Sequence, residues 1–203
     1  LLHKVIAIGF FSQWQFLCLY MFNSKKQLIK IAVVGPESTG KSTIAEQLAR
    51  DYGTVCVPEY AREYCRNLNR EYTLQDEMNM FYGQLALERS LLPLAQRDLL
   101  ICDTMFLTIK VWCDHLFGYT PEAVLHTLQD SHYDLYLLMD IDLPWVDDPL
   151  RDFPQLREHF MQVWHHELKA INAEYVVISG LGEKRHEHAL KAVESFLAKT
   201  QRR

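Results

Sequence analysis

The chain has 203 residues, of which 49% are hydrophobic, 23% charged and 12% aromatic, and a formal net charge of −5. A chain of that length and make-up supports one domain with its own core, and it excludes disordered, collagen-like and linker sequence. The acidic balance argues against non-specific nucleic-acid binding.

Residues 1–22 are mostly apolar and hold six of the 24 aromatic side chains. They lack the small-residue cleavage site of a signal peptide. Ser12, Gln13 and Gln15 interrupt what a membrane span would need as about 20 apolar residues. We expect residues 1–28 to be an extension, or an upstream start, ahead of a domain at 29–203. A weak membrane or partner anchor and a core strand are the other readings of this stretch.

Downstream, strand-like and helix-like segments alternate. Lys30–Val34 reads as a buried strand, and Ile44, Ala45, Leu48, Ala49 and Tyr52 recur at helical spacing until Gly53. Thr54–Val57 is a second strand, cut off by Pro58. Ala61–Asn67 and Leu74–Gln96 follow as helices, the latter with Met78, Phe81, Leu85 and Leu92 on its apolar stripe. Leu99–Cys102 is a third strand, Phe106–Phe117 a helix, and Pro121 opens a short one with Glu122 in its first turn. Tyr133–Met139, Leu156–Ile171, Tyr175–Ile178 and Glu183–Lys199 complete the series as strand, helix, strand, helix. This order predicts an α/β, three-layer phosphate-loop NTPase sandwich with a five-stranded, mainly parallel sheet.

Cys18, Cys56, Cys65, Cys102 and Cys113 are odd in number and form no C-x-x-C pair, which suits reduced thiols in a cytoplasmic protein. The histidine pairs at 165/166 and 186/188 stand in no H-E-x-x-H arrangement and read as solvated helix faces.

Gly35-Pro36-Glu37-Ser38-Thr39-Gly40-Lys41-Ser42 fits G-x-x-x-x-G-K-[ST], and it lies between a buried strand and an amphipathic helix, as that motif requires. Glycines let successive N–H groups converge on phosphate oxygens, and the helix N-terminus adds partial positive charge. Lys41 can reach the β- and γ-phosphates of ATP, and the Ser42 hydroxyl can ligate Mg²⁺. Thr43 completes the loop's candidate nucleotide contacts.

The rest of the chain indicates the phosphoryl acceptor. There is no Asn-Lys-x-Asp guanine reader, and the third strand runs into Asp103-Thr104 instead of the Asp-Glu of a water-activating ATPase. Asp103 can hold Mg²⁺ through water, while a helix cap at Asp103 or Thr104 is the plain alternative. Transfer to a bound substrate is favoured over hydrolysis. After the second strand comes Pro58-Glu59-Tyr60-Ala61-Arg62, at the carboxyl edge where ligands collect. Glu59 is placed to orient or deprotonate a hydroxyl, and Tyr60 to stack on a ring or bond a sugar. A surface ion pair between Glu59 and Arg62 is the simpler reading. Residues 140–154, with three prolines and several charges, suit a lid. Arg151 is the first candidate to balance phosphoryl charge and Arg157 the second. Trp145 either covers a base or anchors the loop.

GPESTGKST, PEYAREY, ICDT-x-FLT and WVDDPLR, in that order, resemble the ribosylnicotinamide kinase domain of the NadR family across roughly residues 29–199. That resemblance implies Mg-ATP-dependent phosphorylation of the 5′-hydroxyl of nicotinamide riboside to nicotinamide mononucleotide in NAD salvage. It also implies that Glu59, Tyr60 and Arg62 line the riboside site and that Trp145, Asp147, Asp148 and Arg151 form the lid region. Another nucleoside kinase and a regulatory phosphate-loop ATPase are the alternatives. Full-length members of the family add a DNA-binding segment and an adenylyltransferase domain. Only about thirty residues precede the motif here, so neither of those activities is expected.

Overall fold

The computed structural model describes residues 28–66 and 68–200. The expectations for residues 1–22, Cys18 included, lie outside the described residues. Five parallel strands form one sheet in the order β2-β3-β1-β4-β5: β1 Ile29–Val34, β2 Cys56–Val57, β3 Leu99–Asp103, β4 Leu135–Met139 and β5 Tyr175–Ile178. Central β1 pairs Ile31 with Ile101 on one side and with Leu135 on the other. Alternation sends Ile31, Val33, Ile101 and Leu137 to one face, against α1 (Lys41–Tyr52) and α7 (Glu183–Thr200). The opposite face carries Ala32, Val34, Leu100 and Leu138. It packs against α3 (Leu74–Leu91), α4 (Phe106–Phe117) and α6 (Arg157–Ala170). The result is the expected three-layer sandwich with both sheet faces covered.

Element ends moved for local reasons. The helix expected over Leu74–Gln96 stops at Leu91, and a 3-10 turn over Leu92–Leu94 carries Pro93. The second strand shrinks to two residues because Thr54 turns its side chain to the sheet edge, its hydroxyl donating to the Leu99 carbonyl at 2.5 Å. The helix after Pro58, α2, is Tyr60–Cys65, and the short one behind Pro121, α5, is Glu122–Asp130. On α3 the expected stripe holds in part: Phe81 is buried and Met78 and Leu85 pack half-buried against the core, while Leu92 lies beyond the helix and exposed. The buried face also takes in Asp76, Glu77, Met80, Gln84 and Glu88. Glu88 accounts for its burial by accepting from Lys30 Nζ at 2.8 Å and the Tyr133 hydroxyl at 2.5 Å. Among the described residues no helix is long and apolar enough to cross a membrane.

Gly83 stands in the interior of α3 because the Tyr60 ring lies on it: a Cβ there would meet ring carbons at 2.1 to 2.4 Å. Glycine-to-alanine changes inside helices ordinarily stabilise by about 1 kcal/mol. Gly83→Ala should reverse that sign and lower stability by about 1–3 kcal/mol through overpacking, read by urea denaturation. A more stable Gly83→Ala would show that α2 moves aside freely.

Candidate active site

The loop between β1 and α1 begins with Gly35 at φ 136, where a Cβ would sit 2.9 Å from the Met139 carbonyl oxygen. Only glycine permits both that conformation and that approach to β4. The Thr39 hydroxyl and Lys41 Nζ both donate to the Pro36 carbonyl at 2.8 Å, closing the loop. All of Gly35–Thr43 lines a cavity of about 990 Å³ that continues past Glu59 and Arg62 toward α3 and α4.

Asp103 ends β3 opposite Val33 and is 4% exposed, with Oδ1 buried and lacking a hydrogen-bond partner. Burial, then the charge of Glu59, pushes its carboxyl up to about 6, while the nearby Ser42 hydroxyl and the Lys41 and Arg62 cations favour the ionised form. The cap position of α4 falls to Met105, so the helix-cap reading of Asp103 and Thr104 is set aside.

Glu59 precedes α2 in extended conformation and makes no capping bond, which leaves its carboxylate free in the cavity wall. Both of its neighbours are held by one side chain from α3. Gln84 Oε1 accepts from the Tyr60 N–H at 2.8 Å, and Gln84 Nε2 donates to the Pro58 carbonyl at 3.3 Å. Tyr60 itself faces Gly83 and is not among the cavity-lining residues, contrary to the expected stacking role. Arg62 pairs with Asp148 at 3.1 Å and not with Glu59, so the simple surface pair is also replaced.

The segment over residues 140–154 is stitched to both sides of the cavity. At the phosphate loop, Ser38 Oγ accepts from the Val146 N–H at 2.9 Å and from Arg151 Nη1 at 3.3 Å. Arg151 also donates to the Val146 carbonyl, and the Phe153 N–H to Glu37 Oε2 at 3.4 Å. Arg157 bonds the carbonyls of Leu143 and Ser38 at 2.8 and 3.3 Å. On the α3 side, the Tyr72 hydroxyl donates to Asp152 Oδ2 at 3.1 Å. Trp145 donates from Nε1 to Asp147 Oδ1 at 2.8 Å, with the Arg157 guanidinium 6.0 Å from its ring. Neither Trp145, Asp147 nor Asp148 lines the cavity; Arg151 does.

Two supporting residues carried no signal in the sequence. Gln84 is a polar residue buried beside Phe81 on the inner face of its helix, where periodicity marks apolar residues only. Arg185, on the first turn of α7, is 3% exposed and bonds the Thr39, Asp140 and Gly180 carbonyls at 3.1, 2.6 and 2.9 Å and Asp142 Oδ1 at 2.5 Å. It ties the phosphate loop to the ends of β4 and β5.

The AAA_28 family model, described as an AAA domain, matches residues 30–185. The trifunctional NAD biosynthesis/regulator protein NadR of Salmonella typhimurium (strain LT2) is 29% identical over 157 residues. That match covers 72% of this chain and 37% of NadR, so the chain spans well under half the length of this curated relative. A crystal structure of NadR in complex with NR superposes at a TM-score of 0.71 and 22% identity, over 83% of this chain and 50% of the other. NadR in complex with NAD and AMP-PNP gives a TM-score of 0.63 and 25% identity, over 83% and 49% of the two chains. The resemblance to the NadR family carried by the sequence motifs is borne out, and so is the α/β phosphate-loop fold.

Proposed function

The chain belongs to the AAA_28 family of AAA domains, and on that premise we propose that it is a riboside kinase moving the γ-phosphoryl group of ATP to the 5′-hydroxyl of nicotinamide riboside. The observation that carries this reading is Glu59: a carboxylate free of capping bonds, fixed on both sides by Gln84, in the same cavity as Lys41. NadR, the relative, is described as an NAD biosynthesis protein and has been crystallised with NR, which supports the choice of acceptor. Residues 29–203 then form the kinase domain and 1–28 its extension, working in the cytoplasm.

The N–H groups of Glu37–Ser42 hold the triphosphate, and Lys41 draws charge from its β- and γ-oxygens. Ser42 and Asp103 suit Mg²⁺. Oxygen donors fit a hard cation, and the buried Asp103 Oδ1 has no hydrogen-bond partner. When bound, the ion neutralises charge on the phosphates. Glu59 accepts the proton of the attacking hydroxyl, Arg62 ties the lid to α2 through Asp148, and Arg151 balances charge on the group in transit. The lid excludes water, which favours transfer to the sugar over hydrolysis.

ADP release under Mg-ATP across a panel of nucleosides tests the reading. Nicotinamide riboside should stimulate release above every other acceptor, whereas acceptor-independent release unaffected by any riboside would refute it. Glu59→Gln should lower kcat by about 10²-fold or more with little change in KM. A change confined to KM would make Glu59 a binding group.

A further inference from the structure

The cavity is roofed from two sides. The lid reaches over it from the phosphate loop, with residues 149–153 in its lining, and the loop joining α2 to α3 reaches over it from the other side with Leu68, Arg70 and Tyr72. The two sides meet where the Tyr72 hydroxyl donates to Asp152 Oδ2 at 3.1 Å.

Both ends of that contact are fixed. Buried Asp76, in the first turn of α3, accepts from the Thr73 N–H at 2.7 Å and from Arg70 Nη1 and Nη2 at 2.7 and 2.9 Å, so it grips the loop on either side of Tyr72. On the lid, Asp152 stands between two anchored neighbours. Arg151 bonds Ser38 Oγ at 3.3 Å, and the Phe153 ring packs 5.7 Å from Trp112 and 5.0 Å from His115. Burial raises the Glu37 carboxyl above its ordinary value, and the charge of Asp152 adds to that rise. The Asp152 carboxylate is thus repelled on its phosphate-loop side, and Tyr72 is its one hydrogen-bond donor among the described residues. Burial, then the charge of Asp152, holds the half-buried Tyr72 hydroxyl well above the usual phenol range, which keeps it a donor.

We propose that Tyr72 and Asp152 form a strap that holds the lid down over the acceptor side of the cavity, and that Tyr72 is thereby a positioning residue which sets how the γ-phosphoryl group divides between the bound acceptor and water. The strap stands on geometry alone; its effect on that division rests on the riboside-kinase reading. With the strap made, the lid and the 68–73 loop move as one. With it broken, the lid stays fastened at Ser38 and Glu37 and lifts along its acceptor-side edge. Water then attacks in place of the sugar hydroxyl, giving ADP and orthophosphate instead of ADP and a phosphomonoester. The Arg62–Asp148 pair, at 3.1 Å, still joins the lid to α2, so the loss is partial and the fold is kept.

Hydrogen–deuterium exchange and product analysis on the full chain test this with Tyr72→Phe, Asp152→Ala, Asp152→Asn and the double variant Tyr72→Phe/Asp152→Ala. The amides of Val146, Leu150, Arg151 and Phe153 are hydrogen-bonded within the lid or to the phosphate loop, and they report its lifting. Tyr72→Phe and Asp152→Ala should each speed their exchange about fivefold, the scale of one hydrogen bond, and the double variant should do no more. Asp152→Asn, whose amide oxygen still accepts from Tyr72, should stay within about twofold of wild type. During turnover with Mg-ATP and nicotinamide riboside, the ratio of orthophosphate to phosphomonoester should rise about fivefold in Tyr72→Phe and Asp152→Ala and hold in Asp152→Asn.

Unchanged lid exchange in Tyr72→Phe would overturn the strap whatever the activity. Faster exchange with an unchanged product ratio would overturn the positioning role. Asp152→Asn behaving as Asp152→Ala would overturn it too, by assigning the effect to charge and not to the bond. Wild type that forms no phosphomonoester from any riboside would refute the kinase reading and the division of products with it, while lid exchange would still decide the strap.

Discussion

Lys41→Ala should lower kcat/KM for phosphoryl transfer by about 10²–10³-fold or more, the scale seen when one preorganised charge-stabilising donor is removed. The Lys41 ammonium is half-buried at the mouth of the phosphate loop and, among the described residues, bonds the Pro36 carbonyl alone, at 2.8 Å. Alanine is also the best helix former for the first residue of α1. The fold should therefore survive, with far-UV circular dichroism and melting temperature close to wild type. Activity retained in a folded Lys41→Ala protein would mean that Gly35–Ser42 does not hold the transferring phosphate.

Arg185→Ala should do the reverse, acting first on the fold and destabilising it by about 1–3 kcal/mol, as expected when carbonyls paired to a buried donor are left unsatisfied. Four acceptors lose their donor: the carbonyls of Thr39, Asp140 and Gly180 and the carboxylate of Asp142. The Gly180 N–H still donates to Asp142 at 2.6 Å, so the carboxylate keeps one partner and the loss should not exceed that range. Whatever protein remains folded should show a raised KM for ATP, because the Thr39 end of the phosphate loop is no longer fastened to β4. Arg185→Lys should recover only part of the loss, since one ammonium cannot reproduce a guanidinium that serves four acceptors. Urea denaturation reads the effect, and a loss below about 1 kcal/mol would show that Arg185 is not the fastening point.

The phosphate loop was legible in the sequence because its chemistry requires a fixed local pattern between a buried strand and a helix, and both neighbours could be read from apolar periodicity. The positions of Glu59 and Asp103 at the sheet's carboxyl edge were legible for a related reason: each follows a short apolar strand, and strand ends converge at the phosphate loop in a parallel sheet. Tyr60 was misjudged because its direction depends on Gly83, more than twenty residues away, whose missing Cβ admits the ring. Nothing near Tyr60 announces that contact. Gln84 and Glu77 stayed hidden because periodicity arguments look for apolar residues on the buried face, and α3 turns polar ones toward a cavity. Arg185 lies outside any motif, and its role exists only once the ends of β4 and β5 and the phosphate loop are brought together.

The central claim, transfer to a riboside rather than to water, is tested most directly by ³¹P NMR of a reaction containing the full chain, Mg-ATP and nicotinamide riboside. The account predicts one new phosphomonoester resonance, coupled to the 5′ protons of the sugar, growing in step with ADP and with little orthophosphate. Orthophosphate accumulating in step with ADP, with no sugar-coupled resonance, would contradict it.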